Sequence, residues 1–151
     1  MYHSNRREFL QSSAVLITAA MMGSSFSLKK KQPLLAFSTL GCPDWTFRQI
    51  TDFAVQHGYT GIEVRGLQRQ MDLPLCKEFS TVANITETLN RMKEKGLHFV
   101  DLGSSATLHF ADAAERKKNM DEGKRFIDLA QRIGCPNIRV FPNNFIKGQT
   151  K

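Results

Sequence analysis

Cysteine is scarce in this 151-residue chain, which holds only Cys42, Cys76 and Cys135 and no C-x-x-C pair. An odd, scattered set argues against a disulfide scaffold or a zinc site and leaves small packing residues as the reading of all three. Long apolar runs are lacking too. The run from Ala14 to Met22 falls well short of the roughly 20 residues that span a bilayer. No glycine-rich phosphate loop of the P-loop type occurs, and there is no Ser/His/Asp set. Dense charge of one sign is missing from most of the chain. The formal net charge is +7, but Arg6, Arg7 and Lys29–Lys31 against Glu8 place +4 in residues 1–31 and leave +3 for the other 120. So thin a surplus argues against a nucleic-acid partner and fits an ordinary solvated surface.

What remains, at 41% hydrophobic and 23% charged, suits one soluble globular domain. The N-terminus reads as an address. Arg6 and Arg7 precede Phe9 and Leu10, then comes the short apolar run, then the lysine triplet. A charged region before a short apolar region is the pattern of an export signal. The paired arginines are similar to a twin-arginine signal, although Asn5 and Gln11 depart from its usual residues. A general secretory signal or an uncleaved anchor is the other reading. Residues 1–31 are therefore set apart as an export signal, and the protein is expected in the periplasm or outside the cell, with no membrane contact once the signal is removed. Residues 32–151 form the body.

The body is organised around residues 58–66, G-Y-T-G-I-E-V-R-G. A helix ends at Gly58 and a strand follows, with Glu63 and Arg65 on one face and Ile62 and Val64 on the other. The same helix–glycine–strand unit returns at Gly96 and Gly134, so the strands begin near Ile62, Phe99 and Ile138, 37 and 39 residues apart. A period of that size predicts parallel strands joined by crossover helices. In order, Leu34–Leu40 is the first strand. Thr46 caps the first helix, with Gln49 completing a capping box, and His57 sits at the helix end. Leu67–Ala83 reads as a long functional loop. Asn84 with Glu87 opens the second helix, whose buried stripe is Ile85, Leu89 and Met92. The third strand is Phe99–Leu102, followed by a Gly103-Ser104-Ser105 turn and a loop to His109. Asp112 with Glu115 caps the longest helix, with Met120, Gly123, Phe126, Ile127, Ala130 and Ile133 inward, and Ile138–Phe141 is the fourth strand. The fold class expected is α/β: a TIM-barrel-type (β/α) repeat forming a partial barrel of about four parallel strands and three helices.

F-S-T-L-G-C-P-D-W, G-Y-T-G-I-E-V-R-G, D-L-G-S-S-A-T-L-H and N-I-R-V-F-P, in that order between residues 34 and 145, resemble the sugar phosphate isomerase/epimerase family. The resemblance implies a xylose isomerase-like TIM barrel acting on a sugar or sugar phosphate. It implies a divalent metal (Mn, Mg, Co or Zn) held by two Glu, one Asp and one His, with carboxylates moving a proton between neighbouring carbons. Those ligands belong to later strands of the family's barrel, and this sequence matches the N-terminal half. No metal ligand carries over, and the chain alone is expected to hold no metal and to be inactive. The other reading is a non-catalytic exported module that binds a sugar or a partner. Open strand edges would favour a homodimer. In the related endonuclease branch early strands end in histidine; here the fourth ends F-P-N, which argues against DNA repair.

In such barrels the active site lies at the C-terminal ends of the strands. The candidate substrate contacts are Trp45, Glu63, Arg65, Ser104, Ser105, His109 and Asn143. Trp45 is either a wall against a sugar ring or a loop anchor in the core. Glu63 is a ligand contact or an ion-pair partner. Ser104 and Ser105 are donors to a hydroxyl or phosphate, or a plain turn. His109 is a top-face contact or an ordinary loop residue. Alternation also turns Asp101 and Arg139 inward, giving Glu63–Arg139 and Asp101–Arg65 as expected pairs.

Overall fold

A computed structural model describes residues 33–142 of the chain. Residues 1–31, expected to be an export signal, and Asn143 lie outside the described residues. Four parallel strands stand in sequential order: β1 (Ala36–Ser38), β2 (Gly61–Val64), β3 (His98–Thr107) and β4 (Ile138–Phe141). Between them run α1 (Phe47–Gln56), α2 (Val82–Glu94) and α3 (Ala113–Ile133). Parallel crossovers are right-handed, so a sheet that grows in one direction carries all its helices on one face. Ile62, Val64, Leu102 and Ala106 are fully buried on that face, and the other face is left concave, with Ser38, Glu63, Asp101 and Arg139 set among apolar neighbours such as Ala36, Val100 and Val140.

Local sequence explains most element ends. Thr46 accepts from the Gln49 N–H while the Gln49 side chain accepts from the Thr46 N–H, the reciprocal capping box expected. Asp112 accepts from the N–H groups of Ala114 and Glu115. The three helix-ending glycines, Gly58, Gly96 and Gly134, have φ of +75°, +65° and +68°, where a side chain would be strained. Cys42, Cys76 and Cys135 are free and buried, as packing residues.

Four expectations need correction. The first strand does not run to Leu40; the chain turns at Thr39–Gly41, because Thr39 Oγ1 donates to Gly66 O at 2.7 Å and accepts from the Arg65 N–H at 3.0 Å. Helix α2 opens at Thr81, not Asn84. Thr81 accepts from the Asn84 N–H, and the Asn84 side chain donates back to Lys77 O at 2.7 Å. On α3, Met120 and Ile127 are outside; the buried residues are Asn119, Phe126, Leu129, Ala130 and Ile133. Met120 and Ile127 fall to one side of the stripe that Asn119, Phe126, Ala130 and Ile133 bury, while Gly123 faces Ala106. Finally, Gly103, Ser104 and Ser105 are not a turn but the middle of β3.

That extension has a physical cause. β2 pairs with β3 only as far as Leu102, and beyond it the N–H groups of Ser105 and Thr107 need other acceptors. Side chains of α3 supply them: Glu122 Oε1 accepts from the Ser105 N–H and Asn119 Oδ1 from the Thr107 N–H, each at 2.7 Å. Asn119 is fixed in turn by its Nδ2, which donates to Glu115 O at 2.8 Å.

The long segment after β2 buries Leu67, Leu73, Cys76 and Phe79 through two short 3-10 turns, so much of it is core. Its tip is a tight turn with positive φ at Gln68 (46°) and Arg69 (66°). Such angles are uncommon without glycine. Arg69 is tied to the β1 side by its N–H to Pro43 O at 2.9 Å and by an ion pair with Asp44 at 2.5 Å. No helix among the described residues is long and apolar enough to cross a membrane.

Candidate functional site

The concave face holds an open groove of about 700 Å³, lined in part by Ser38, Glu63, Val100, Asp101 and Arg139. Register places Ser38, Glu63 and Asp101 in one row across β1, β2 and β3. A bulge at Ile62/Glu63 skips Val100, which therefore lines the groove beside Asp101. Arg139 comes from β4, opposite Gly103 on β3. Its Nη1 lies 3.6 Å from Glu63 Oε1, so the expected Glu63–Arg139 pair forms across the intervening strand.

The expected Asp101–Arg65 pair does not form. Arg65 sits one residue beyond β2, and its Nη1 and Nη2 donate to Gly103 O at 3.2 Å and Ser105 Oγ at 3.1 Å. Gly103 makes this possible: a Cβ there would overlap Arg65 Cδ and lie 2.9 Å from Arg139 Nη2. The Arg65 side chain, through its Cδ, and the Arg139 guanidinium thus share the space over one glycine. Burial, then the charge of Arg139, lowers the Arg65 pKa from its ordinary value. Burial, then the charge of Glu63, raises that of Asp101. Asp101 therefore keeps its proton to higher pH than an ordinary carboxyl.

The remaining candidates are dispersed. Trp45 packs at 5.2 Å, edge to face, on Phe53 of α1 and does not line the groove. Ser104 is fully buried, its Oγ donating to Arg139 O at 2.6 Å, so it braces β3 against β4. Ser105 is exposed beside Arg65. His109 follows β3 and lies against Phe110, with ring centroids 4.4 Å apart and a buried Nδ1 that has no hydrogen-bond partner. Gly103, Asn119 and Glu122 shape the site although they were not among the candidates. Gly-Ser-Ser reads as a turn, and the two α3 side chains reach β3 only through tertiary packing.

Among the described residues no three His, Cys, Asp or Glu come together as a metal site. The groove's two carboxylates, Glu63 and Asp101, face Arg139. Two oxygen donors beside a cation do not fit a divalent ion, which needs more ligands and no adjacent positive charge.

No protein-family model matches the sequence. No curated protein matches it either. Solved structures do. The crystal structure of the probable 3-DHS dehydratase AsbF, involved in petrobactin synthesis from Bacillus anthracis, is similar with a TM-score of 0.56 at 18% identity, over 72% of this chain and 38% of that one. Protein SMc04130 from Sinorhizobium meliloti 1021 is similar with a TM-score of 0.52 at 18% identity, over 75% of this chain and 39% of that one. The fold is α/β of the TIM-barrel type. The chain spans about two-fifths of the length of these two structures.

Proposed function

We propose that the chain binds a sugar or sugar phosphate on its concave face and serves a sugar isomerase/epimerase-like reaction. The observation that carries this reading is the set of polar groups at the groove: the row Ser38, Glu63 and Asp101, with Arg139 paired to Glu63. A polyhydroxylated ligand needs alternating donors and acceptors on a rigid floor. Strands hold these side chains more firmly than loops would. Asp101, protonated to higher pH than usual, is the group best suited to share a proton with a ligand hydroxyl or carbonyl. In this reading any catalytic metal and its ligands come from outside residues 33–142, and the described residues bind and orient the sugar. The second reading is a sugar-binding module without catalysis, which the same set of polar groups would serve.

The test is calorimetric titration of the full chain with aldoses and ketoses, with and without a phosphate group. Saturable binding that weakens at least tenfold in Asp101→Asn supports the reading, and no binding of any of them removes it. Deuterium uptake from D2O at the carbon beside the carbonyl would separate a catalytic chain from the binding module.

A further inference from the structure

Arg65 and Arg139 both reach over Gly103, Arg65 with its Cδ and Arg139 with its Nη2, and their N–H groups have few acceptors. Arg65 donates only to neutral oxygens, Gly103 O and Ser105 Oγ, and makes no ion pair among the described residues. Arg139 meets Glu63 on one side at 3.6 Å, while its Nε is buried with no hydrogen-bond partner. Neighbouring cations repel, and an unsatisfied buried donor costs about 1–3 kcal/mol. The fold nevertheless builds this contact, because β3 has its bare glycine at the one register position opposite Arg139. Planar guanidinium forks match the oxygens of a carboxylate or phosphate, which would supply acceptors and charge together.

We propose that Arg65 and Arg139, set over Gly103 with Ser105 beside them, bind the carboxylate or phosphate group of a ligand. The assignment rests on the reading that the groove holds a sugar, and it makes that ligand a sugar acid or a sugar phosphate. The anion faces the two arginines beside the groove, next to Ser105, and Arg139, which lines the groove, joins the two places. The neutral part of the ligand lies over Glu63 and Asp101; Glu63, paired with Arg139, and Glu122, which accepts from the Ser105 N–H, are the carboxylates with which the anion competes for the two guanidinium groups.

The experiment is calorimetric titration of the full chain at fixed ionic strength with inorganic phosphate, with acetate and with a neutral pentose. One anion should saturate a single site, and which one does so tells phosphate from carboxylate recognition. Arg65→Gln should weaken that binding at least tenfold, Arg65→Lys severalfold, since lysine keeps the charge but not the fork, and the exposed Lys118→Gln not at all. Thermal melts of each variant separate lost binding from lost folding. If neither anion saturates, or if folded Arg65→Gln and Arg65→Lys bind as the parent does, the proposal is overturned. Pentose binding without anion binding would sink the anion site and leave the sugar reading intact. Anion binding without pentose binding would do the reverse.

Discussion

Arg139 on β4 reaches Glu63 on β2 across the whole width of β3, with 3.6 Å between Nη1 and Oε1. No side chain stands between them at Gly103. The pair therefore reports three things at once: strand phase, sheet order and the glycine beneath.

Gly103→Ala should break this arrangement. The added Cβ meets Arg65 and Arg139, and Arg65 Cα, a backbone atom, lies only 3.4 Å away. The expected cost is about 1–3 kcal/mol, as for overpacking elsewhere. Chemical denaturation reads it, and a variant as stable as the parent would show that the two arginines move aside freely.

Asp101 should titrate above 3.8, its ordinary value, because burial and then Glu63 disfavour its charge. A carboxyl raised in this way supports the folded state below its unfolded pKa, and that support is lost as pH rises through the folded value. In Glu63→Gln the midpoint should fall, since the charge of Glu63 is one of the two causes that raise it. Carboxyl-carbon NMR of the two proteins measures both. A midpoint at or below 3.8 in the parent would mean that the groove is wetter than described.

Asn119→Ala should destabilise the fold by about 1–3 kcal/mol, because it leaves the Thr107 N–H without its acceptor and removes the bond to Glu115 O. Amide exchange should quicken at Thr107 first. Unchanged protection there would show that water replaces the asparagine without loss.

The capping box at Thr46 and Gln49, the Asp112 cap and the glycine after each helix depend on residues within a few positions, so they were legible. The inward pair Glu63–Arg139 followed from strand alternation alone. Where long-range contacts decide, local sequence does not carry the answer. Gly103-Ser104-Ser105 looks like a turn until Asn119 and Glu122 are brought against it. Thr81 and Asn84 are both good caps, and only the acceptor at Lys77 O chooses between them. Arg65 leaves Asp101 for Gly103 O because the strand ends at Val64, one residue earlier than the charge pattern implied.

Export is a separate proposal, carried by Arg6 and Arg7 ahead of a short apolar run. Arg6→Lys with Arg7→Lys should hold the protein in the cytoplasm, as fractionation would show. Export at the parent's level would remove the twin-arginine reading.

The central claim is that the concave face is the ligand site, and amide NMR of the full chain during a sugar titration tests it most directly. The account predicts shifts concentrated at Ser38, Glu63, Asp101, Gly103 and Arg139, absent at the outer face of α3 around Met120 and Ile127, and lost in Asp101→Asn. Shifts that cluster anywhere other than the concave face, or none at saturating sugar, would contradict it.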